Sequence, residues 1–315
     1  MKPFRTIITP QKPGFSISHT DRLVSIGSCF SENIGQRFEN YKFNVNINPF
    51  GQQYNPHSIA QAIERLLQPA PYTENDLVLH NEQHHSFHHH GTFSKSTVEE
   101  TLKGINESLL KAAEDLKRAT VLFLTFGTSH VFKLKETGAI VSNCHKLPGT
   151  LFNQQLMMPD EIGAVLKAAL DKLKQLNPKI KIILTVSPVR YFAFGAYENS
   201  VSKAHLFSAI YALQQTNPDY YYFPAYELIM DDLRDYRFFA DDMLHPNQQA
   251  IDYVWQSLAD TFFDSKTNGV LQQVEEVLQA LNHRPRNPES EAHKKFVAKN
   301  LEKMAALEKD LGLQF

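Results

Sequence analysis

The apolar residues of this chain fall into two kinds of run. Short, near-continuous runs rich in β-branched and aromatic residues stand at LVSIG from Leu23, VLFLTFG from Val121 and IKIILTVSPV from Ile180. Runs without polar alternation predict strands covered on both faces, as in a parallel sheet. Between them the apolar residues recur at helical spacing. Residues 57–68, after Asn55-Pro56, read as an amphipathic helix, and so does the stretch from Glu161 that stops near Asn177-Pro178. The stretch from Lys203 stops before Asn217-Pro218, and another begins at Asn247. Strands and helices in alternation predict an α/β fold with a doubly wound, mainly parallel sheet. Tyr220-Tyr221-Tyr222-Phe223 reads as strand and core.

Two segments break this pattern. Residues 68–96 are rich in Pro, Asn and His with weak periodicity, which predicts a long insertion or lid. From Asn282 a charged stretch leads into the helical pattern VAKNLEKMAALEKDLG. The expected organisation is therefore a domain over 1–281 and a helical tail over 282–315, packed on that domain or on a partner.

Composition changes little in this picture. The chain has 315 residues, 42% of them apolar, and a formal net charge of -2, an ordinary globular balance. Such a charge gives no field for nucleic acid or a membrane surface, so neither is an expected partner. Two cysteines, Cys29 and Cys144, do not make a disulfide framework. The first residues lack an apolar leader, and no run of about 18 apolar residues occurs. A cytoplasmic location with reduced thiols is expected, and homo-oligomerisation is left open.

Candidate chemistry begins at Gly27-Ser28-Cys29, between the first strand and a helix whose Ile34 and Phe38 share one face. A nucleophile at a sharp strand-to-helix turn meets substrate, and the helix N-terminus favours negative charge there. A thiol exposed at that position is expected to have a lowered pKa. Asp242-Met243-Leu244-His245 is the second feature, because a carboxylate three residues before a histidine can accept its Nδ1 proton and aim Nε2 at a nucleophile. Its bland alternative is a turn capped by Asp242. Third, His84, His85, His88, His89 and His90 crowd into seven positions. They are dense enough for a divalent metal but lack an interleaved carboxylate, so the expectation is substrate-facing histidines and no metal or organic cofactor. Arg190 follows a strand end and could clamp a carboxylate or phosphate, or form a structural ion pair. Asn143 and His145 could line the site or satisfy loop backbone.

The stretch IGSCFSENI resembles the signature of the GSCFA family, which itself resembles the SGNH/GDSL hydrolases. The resemblance covers roughly residues 20–265. It implies a three-layer α/β/α flavodoxin-like sandwich of SGNH-hydrolase type. Gly27 falls on that superfamily's glycine, Ser28 on its aspartate and Cys29 on its nucleophilic serine, while Asp242 and His245 fall on its last block. Gly51 is placed like the oxyanion-hole glycine. Gly127-Thr128-Ser129-His130 is placed like the Gly-x-Asn-Asp block, with Ser129 in place of the asparagine. The implied activity is esterase-like: hydrolysis or transfer of an acyl group carried by an ester, a thioester or an acylated carbohydrate. Cys29 is the favoured nucleophile and Ser28 the alternative, His245 the general base, and Asp242 its orienting carboxylate. Gly51, turn amides and Ser129 or Asn143 would hold the oxyanion, with Gly127, His89 and Arg190 nearby. A non-catalytic binding protein on the same scaffold is the competing expectation, and a metal-dependent hydrolase a third.

Overall fold

The computed structural model describes residues 4–282 and 290–312. In chain order these form β1 (Arg22–Gly27), α1 (Cys29–Asn40), β2 (Asn44–Ile47), α2 (Pro56–Leu67), β3 (Leu77–His80), β4 (Gln83–Ser86) and α3 (Val98–Arg118). Then come β5 (Val121–Phe126), β6 (His130–Leu134), β7 (Ile140–Val141), β8 (Phe152–Leu156), α4 (Pro159–Leu176), β9 (Lys181–Val186), α5 (Ala196–Thr216) and β10 (Tyr220–Tyr222). The chain ends with α6 (Ala225–Glu227), which runs on as a π-helical turn, then α7 (Gln248–Phe262), α8 (Ser265–Asn282) and α9 (Glu291–Leu311).

The three apolar runs become the three inner strands of one five-stranded sheet, ordered β10-β9-β5-β1-β2. Every pairing in it is parallel, with Leu23 opposite Val121 and Gly27 opposite Thr125. Alternate residues take opposite faces. Val24, Ile26, Leu122, Leu124, Ile182 and Leu184 pack with residues of α2, α3, α4 and α5. Leu23, Val121, Phe123 and Ile183 pack with residues of α1 and α7. The result is a three-layer α/β/α sandwich. From β1 the chain first moves to β2 on one side and later to β5 on the other. The strand order thus reverses between β1 and β5, and it is beyond the carboxyl ends at such a reversal that doubly wound sheets bind ligands. Ser28-Cys29 and Gly127-Thr128 lie there.

The structure adds elements that the apolar pattern did not predict. Helix α3 is capped by the Thr97 hydroxyl, begins with Glu99 and Glu100, ends with Lys117 and Arg118, and buries Ile105, Leu109, Ala112 and Leu116. Helix α5 begins seven residues before Lys203. Within 68–96 the chain folds into the β3–β4 hairpin and short 3-10 turns, and β7-β6-β8 form a small antiparallel sheet. Helix α9 lies against α8, with Leu307 among Val270, Val274 and Val277, and a Lys303–Glu276 ion pair at 2.5 Å. Among the described residues no helix is long and apolar enough to cross a membrane.

Candidate functional site

Strand β1 ends at Gly27, and the next residue caps α1. A Cβ on Gly27 would stand 2.4 Å from the Thr125 carbonyl oxygen, so the close β1–β5 approach at the turn needs glycine. Ser28 is the N-cap of α1, but its side chain makes no capping bond. Its Oγ is buried and has no hydrogen-bond partner among the described residues, and the residue is 1% exposed. Cys29, the first residue of the helix, is only partly buried. Between the two, the thiol has the better access to solvent and the hydroxyl is shut behind the turn. Tyr54, Gln52 and Glu32 line the approach through two short bonds, Tyr54 Oη to Gln52 Oε1 at 2.5 Å and Gln52 Nε2 to Glu32 Oε2 at 2.5 Å.

The thiol does not have the lowered pKa expected at a helix start. Burial pushes the Cys29 thiol up, and the Glu32 charge adds to the push. The amides of Phe30 and Cys29 and the charge of Lys203 pull the other way and prevail less. Desolvation of the thiolate outweighs the donors of the first helical turn. The nearby Tyr54 phenol is raised to about 12, by burial first and then by Cys29 and Glu32.

Asp242 and His245 occupy the turn that leads into α7. Asp242 Oδ1 accepts the backbone N–H groups of Leu244 and His245 at 2.9 Å, and its Oδ2 accepts from His245 Nδ1 at 2.6 Å. Met243 completes the turn with a φ of 59°. A carboxylate can only accept, so Nδ1 carries a proton and Nε2 is left outside that bond. Both side chains are nearly half exposed, at 45% and 46%. The backbone N–H groups of His245 and Leu244, followed by the imidazole, hold the Asp242 carboxyl down to about 2. With a folded pKa below the unfolded value of about 3.9, Asp242 contributes its stability fully above that value and loses it as the pH falls toward 2. Urea unfolding from pH 5 to pH 2 should therefore show a steeper loss of midpoint in the wild type than in Asp242→Asn.

Helix packing brings this turn to the same end of the molecule as Cys29. Arg37 pairs with Asp252, the Phe38 ring meets Trp255 at 5.0 Å, and Tyr41 stacks on Trp255 at 5.4 Å. Advance along α1 therefore matches advance along α7, so the two helices run parallel, and the turn before α7 lies toward the end of the molecule at which α1 begins. Among the described residues the His245 ring bonds Asp242, and no hydrogen bond joins it to Cys29.

The remaining expected site residues separate into near and far. Gly127 adjoins the turn, since a Cβ on it would lie 3.5 Å from Ser28 Cβ. Its N–H, however, already donates to the Tyr54 carbonyl at 2.8 Å. Gly51 does not supply a free oxyanion donor either, because its N–H donates to Asn48 O at 2.7 Å. Gly51 is glycine for another reason: its φ is 71° and a Cβ would stand 2.3 Å from His90 Cβ. Ser129 is fully buried, and its Oγ donates to Ser202 at 3.1–3.2 Å, so it does not stand in for an asparagine donor. Asn143 Oδ1 accepts from the His145 amide at 2.8 Å and holds its own loop. Arg190 places its guanidinium 5.8 Å from the Phe192 ring centroid.

The histidines do not act as a cluster. Val78 pairs with His85 and Leu79 with His84 in the hairpin, so adjacent histidines take opposite faces. His89 is 1% exposed, bonds Ser86 Oγ through Nδ1 at 2.9 Å and stacks on Phe50 at 4.9 Å, so it is packed inside rather than presented at the surface. Burial, with smaller contributions from His88, His145 and Arg65, lowers it to about 3. Among the described residues no group of three or more His, Cys, Asp or Glu side chains is arranged to hold a metal ion.

One site residue carries no motif. Lys203, on α5, is 2% exposed, and its Nζ donates to the carbonyls of Gly127 and Ser187 at 2.6 Å each. It thereby ties the carboxyl ends of β5 and β9 together behind Ser28-Cys29. Its sequence signal is position: Asn199, Ser202, Lys203, Leu206, Ile210 and Leu213 share the buried face of the helix.

Comparison with solved structures finds a carbohydrate esterase family 3 protein from Talaromyces cellulolyticus, at 9% identity and a TM-score of 0.36, covering 81% of this chain and 98% of that one. An acetyl esterase mutant with an acetate ion is also found, at 9% identity and a TM-score of 0.35, with coverage of 81% and 98%. No curated protein matches the chain. Residues 274–314 match the C-terminal domain of GSCFA domain proteins. The GSCFA family matches over residues 22–258, and the chain belongs to that family.

Proposed function

We propose that this protein is a hydrolase or acyltransferase that acts on an acyl ester, a thioester or an acylated carbohydrate through Cys29, His245 and Asp242. The observation that carries the reading is the Asp242–His245 pair. Two backbone N–H bonds of 2.9 Å hold the Asp242 carboxylate, and its 2.6 Å bond to His245 Nδ1 orients the imidazole with Nε2 free to take a proton. In the forward step His245 takes the thiol proton as Cys29 Sγ attacks the acyl carbon, giving a tetrahedral intermediate and then a thioester as the alcohol or thiol leaves with that proton. Water or an acceptor alcohol then attacks the thioester and restores the thiol. The first-turn amides of α1, Cys29 and Phe30, are the donors for the oxyanion, since those of Gly51 and Gly127 are occupied. A raised thiol pKa fits proton removal by a base better than a standing thiolate. Ser28, whose hydroxyl is enclosed, is the lesser alternative.

A panel of p-nitrophenyl acyl esters and acetylated sugars, with iodoacetamide labelling of Cys29 alongside, tests the reading. Turnover together with covalent labelling is expected. Absence of both on a broad panel overturns it. The second reading, a non-catalytic binding protein on the same scaffold, rests on the missing hydrogen bond between His245 and Cys29. Acyl turnover would set that reading aside.

A further inference from the structure

We infer that Glu32, Gln52 and Tyr54 form a specificity wall beside Cys29 that selects a neutral leaving alcohol bearing further hydroxyls. This rests on reading Cys29 as the nucleophile of acyl transfer. The wall is built from contacts around the β1–α1 turn. Glu32 stands three residues after Cys29, and its N–H donates to Ser28 O at 3.3 Å, so both side chains share one turn and one face of α1. Segment 51–54 is laced to the strand ends that flank the turn. The Gln53 N–H donates to Gly27 O at 2.8 Å, and Tyr54 O accepts from the Gly127 and Thr128 N–H groups at 2.8 and 3.0 Å. The Tyr54 ring lies close by, since a Cβ on Gly127 would stand 3.5 Å from Tyr54 Cδ1 and 3.5 Å from Ser28 Cβ. Gln52 closes the line, accepting from Tyr54 Oη and donating to Glu32 Oε2, each at 2.5 Å.

Those side-chain bonds are not needed to hold the loop, which its backbone bonds already anchor. Glu32 is exposed and Gln52 and Tyr54 are half-buried, so the string opens to solvent beside the partly buried thiol. Bonds this accessible to water stabilise little. What they do is fix the groups they leave over. Tyr54 gives its one proton to Gln52, and Gln52 gives one of two amide protons to Glu32, which leaves one donor against several acceptors. Among the described residues Glu32 Oε1 accepts no hydrogen bond. Burial first, then Cys29 and Glu32, raise the Tyr54 phenol to about 12, so it stays a hydroxyl. Alcohol hydroxyls donate to such a surface. A carboxylate or phosphate cannot, and the Glu32 carboxylate repels it. A trimethylammonium group would meet the charge but leave the Tyr54 and Gln52 acceptors unused.

The experiment uses the full chain and the acyl group that the p-nitrophenyl panel shows to be turned over. Esters of that acid with glycerol, ethanol, glycolate and choline are compared by release of the acid. The wild type is expected to favour the glycerol ester over the ethyl ester about tenfold or more in kcat/KM, and over the glycolate and choline esters by at least as much. Glu32→Ala and Tyr54→Phe are expected to lower the glycerol-to-ethyl ratio about fivefold, mainly through KM. Glu32→Lys should raise the glycolate-to-ethyl ratio by about the same factor. Each reading is a ratio of two substrates on one protein, so partial misfolding cancels. If no variant folds, the wild-type preferences decide. A wild type that turns over the p-nitrophenyl ester without favouring the glycerol ester overturns this proposal alone, and so does a preference for the choline ester. Variant ratios equal to those of the wild type also overturn it. No turnover of any ester overturns it together with the acyl-transfer reading.

Discussion

Cys29→Ala is expected to lower kcat/KM on an activated acyl ester by about a thousandfold or more, with His245→Ala close behind. In the reaction proposed above both groups serve one covalent step, so the double variant should be little worse than either alone. Ser28→Ala should stay within about tenfold of the wild type, because its hydroxyl is enclosed and makes no capping bond. Cys29→Ser gives the complementary measurement. If the thiol is the nucleophile, a hydroxyl in its place depends wholly on His245 for activation, and the rate should drop steeply. Steady-state kinetics on the wild type and these five variants is the deciding measurement. A Ser28→Ala loss as large as that of Cys29→Ala would move the chemistry one residue back along the turn.

Phe38→Ala is the largest expected loss of stability, about 3–5 kcal/mol. Phe38 is 1% exposed, and its ring meets Phe43 at 5.2 Å, Phe123 at 5.5 Å, Trp255 at 5.0 Å and Phe263 at 6.1 Å. Removing it opens a cavity among rings held by β5 (Phe123), by α7 and its C-cap (Trp255 and Phe263) and by the turn before β2 (Phe43), which cannot collapse together freely. Urea unfolding followed by Trp255 fluorescence measures the loss, with a lower midpoint and an unchanged slope expected. A loss under about 1 kcal/mol would mean that α1 and α7 are held by something other than this cluster. Those two helices also carry the two halves of the site. Conditions in which the variant is still folded should therefore show reduced turnover as well.

Much of this architecture could be read from residue order. Leu23, Val121 and Ile180 begin runs that are apolar on both sides, and only a strand covered by two helical layers satisfies such a run. The two halves of the site were readable for a related reason, since each is compact: Ser28-Cys29 ends a strand, and Asp242 and His245 are three residues apart. What sequence did not carry is the destination of backbone hydrogen bonds. Gly51 resembles an oxyanion donor until its N–H is found on Asn48 O, a bond set by the local turn. The histidine run looked like one cluster because linear spacing says nothing of the hairpin that splits it. Lysine at 203 is hidden differently: the residue type is read as surface, and only its place among Asn199, Ser202 and Leu206 marks it as interior. Helix α3 is masked in the sequence by its many charges, although Thr97 and the acidic first turn mark its start.

The sheet order has a consequence for how the site comes into being. Strand β1 lies between β2, which follows it closely, and β5, about a hundred residues downstream, while Cys29 and His245 are roughly two hundred residues apart. Pairings this remote in sequence are slow to form, because the chain must close long loops before they are rewarded. As the chain leaves the ribosome, the thiol therefore emerges long before the imidazole. On the reading proposed above, the Cys29–His245 pair cannot form until α7 docks against α1. Completion of the fold and assembly of the site are then a single late event.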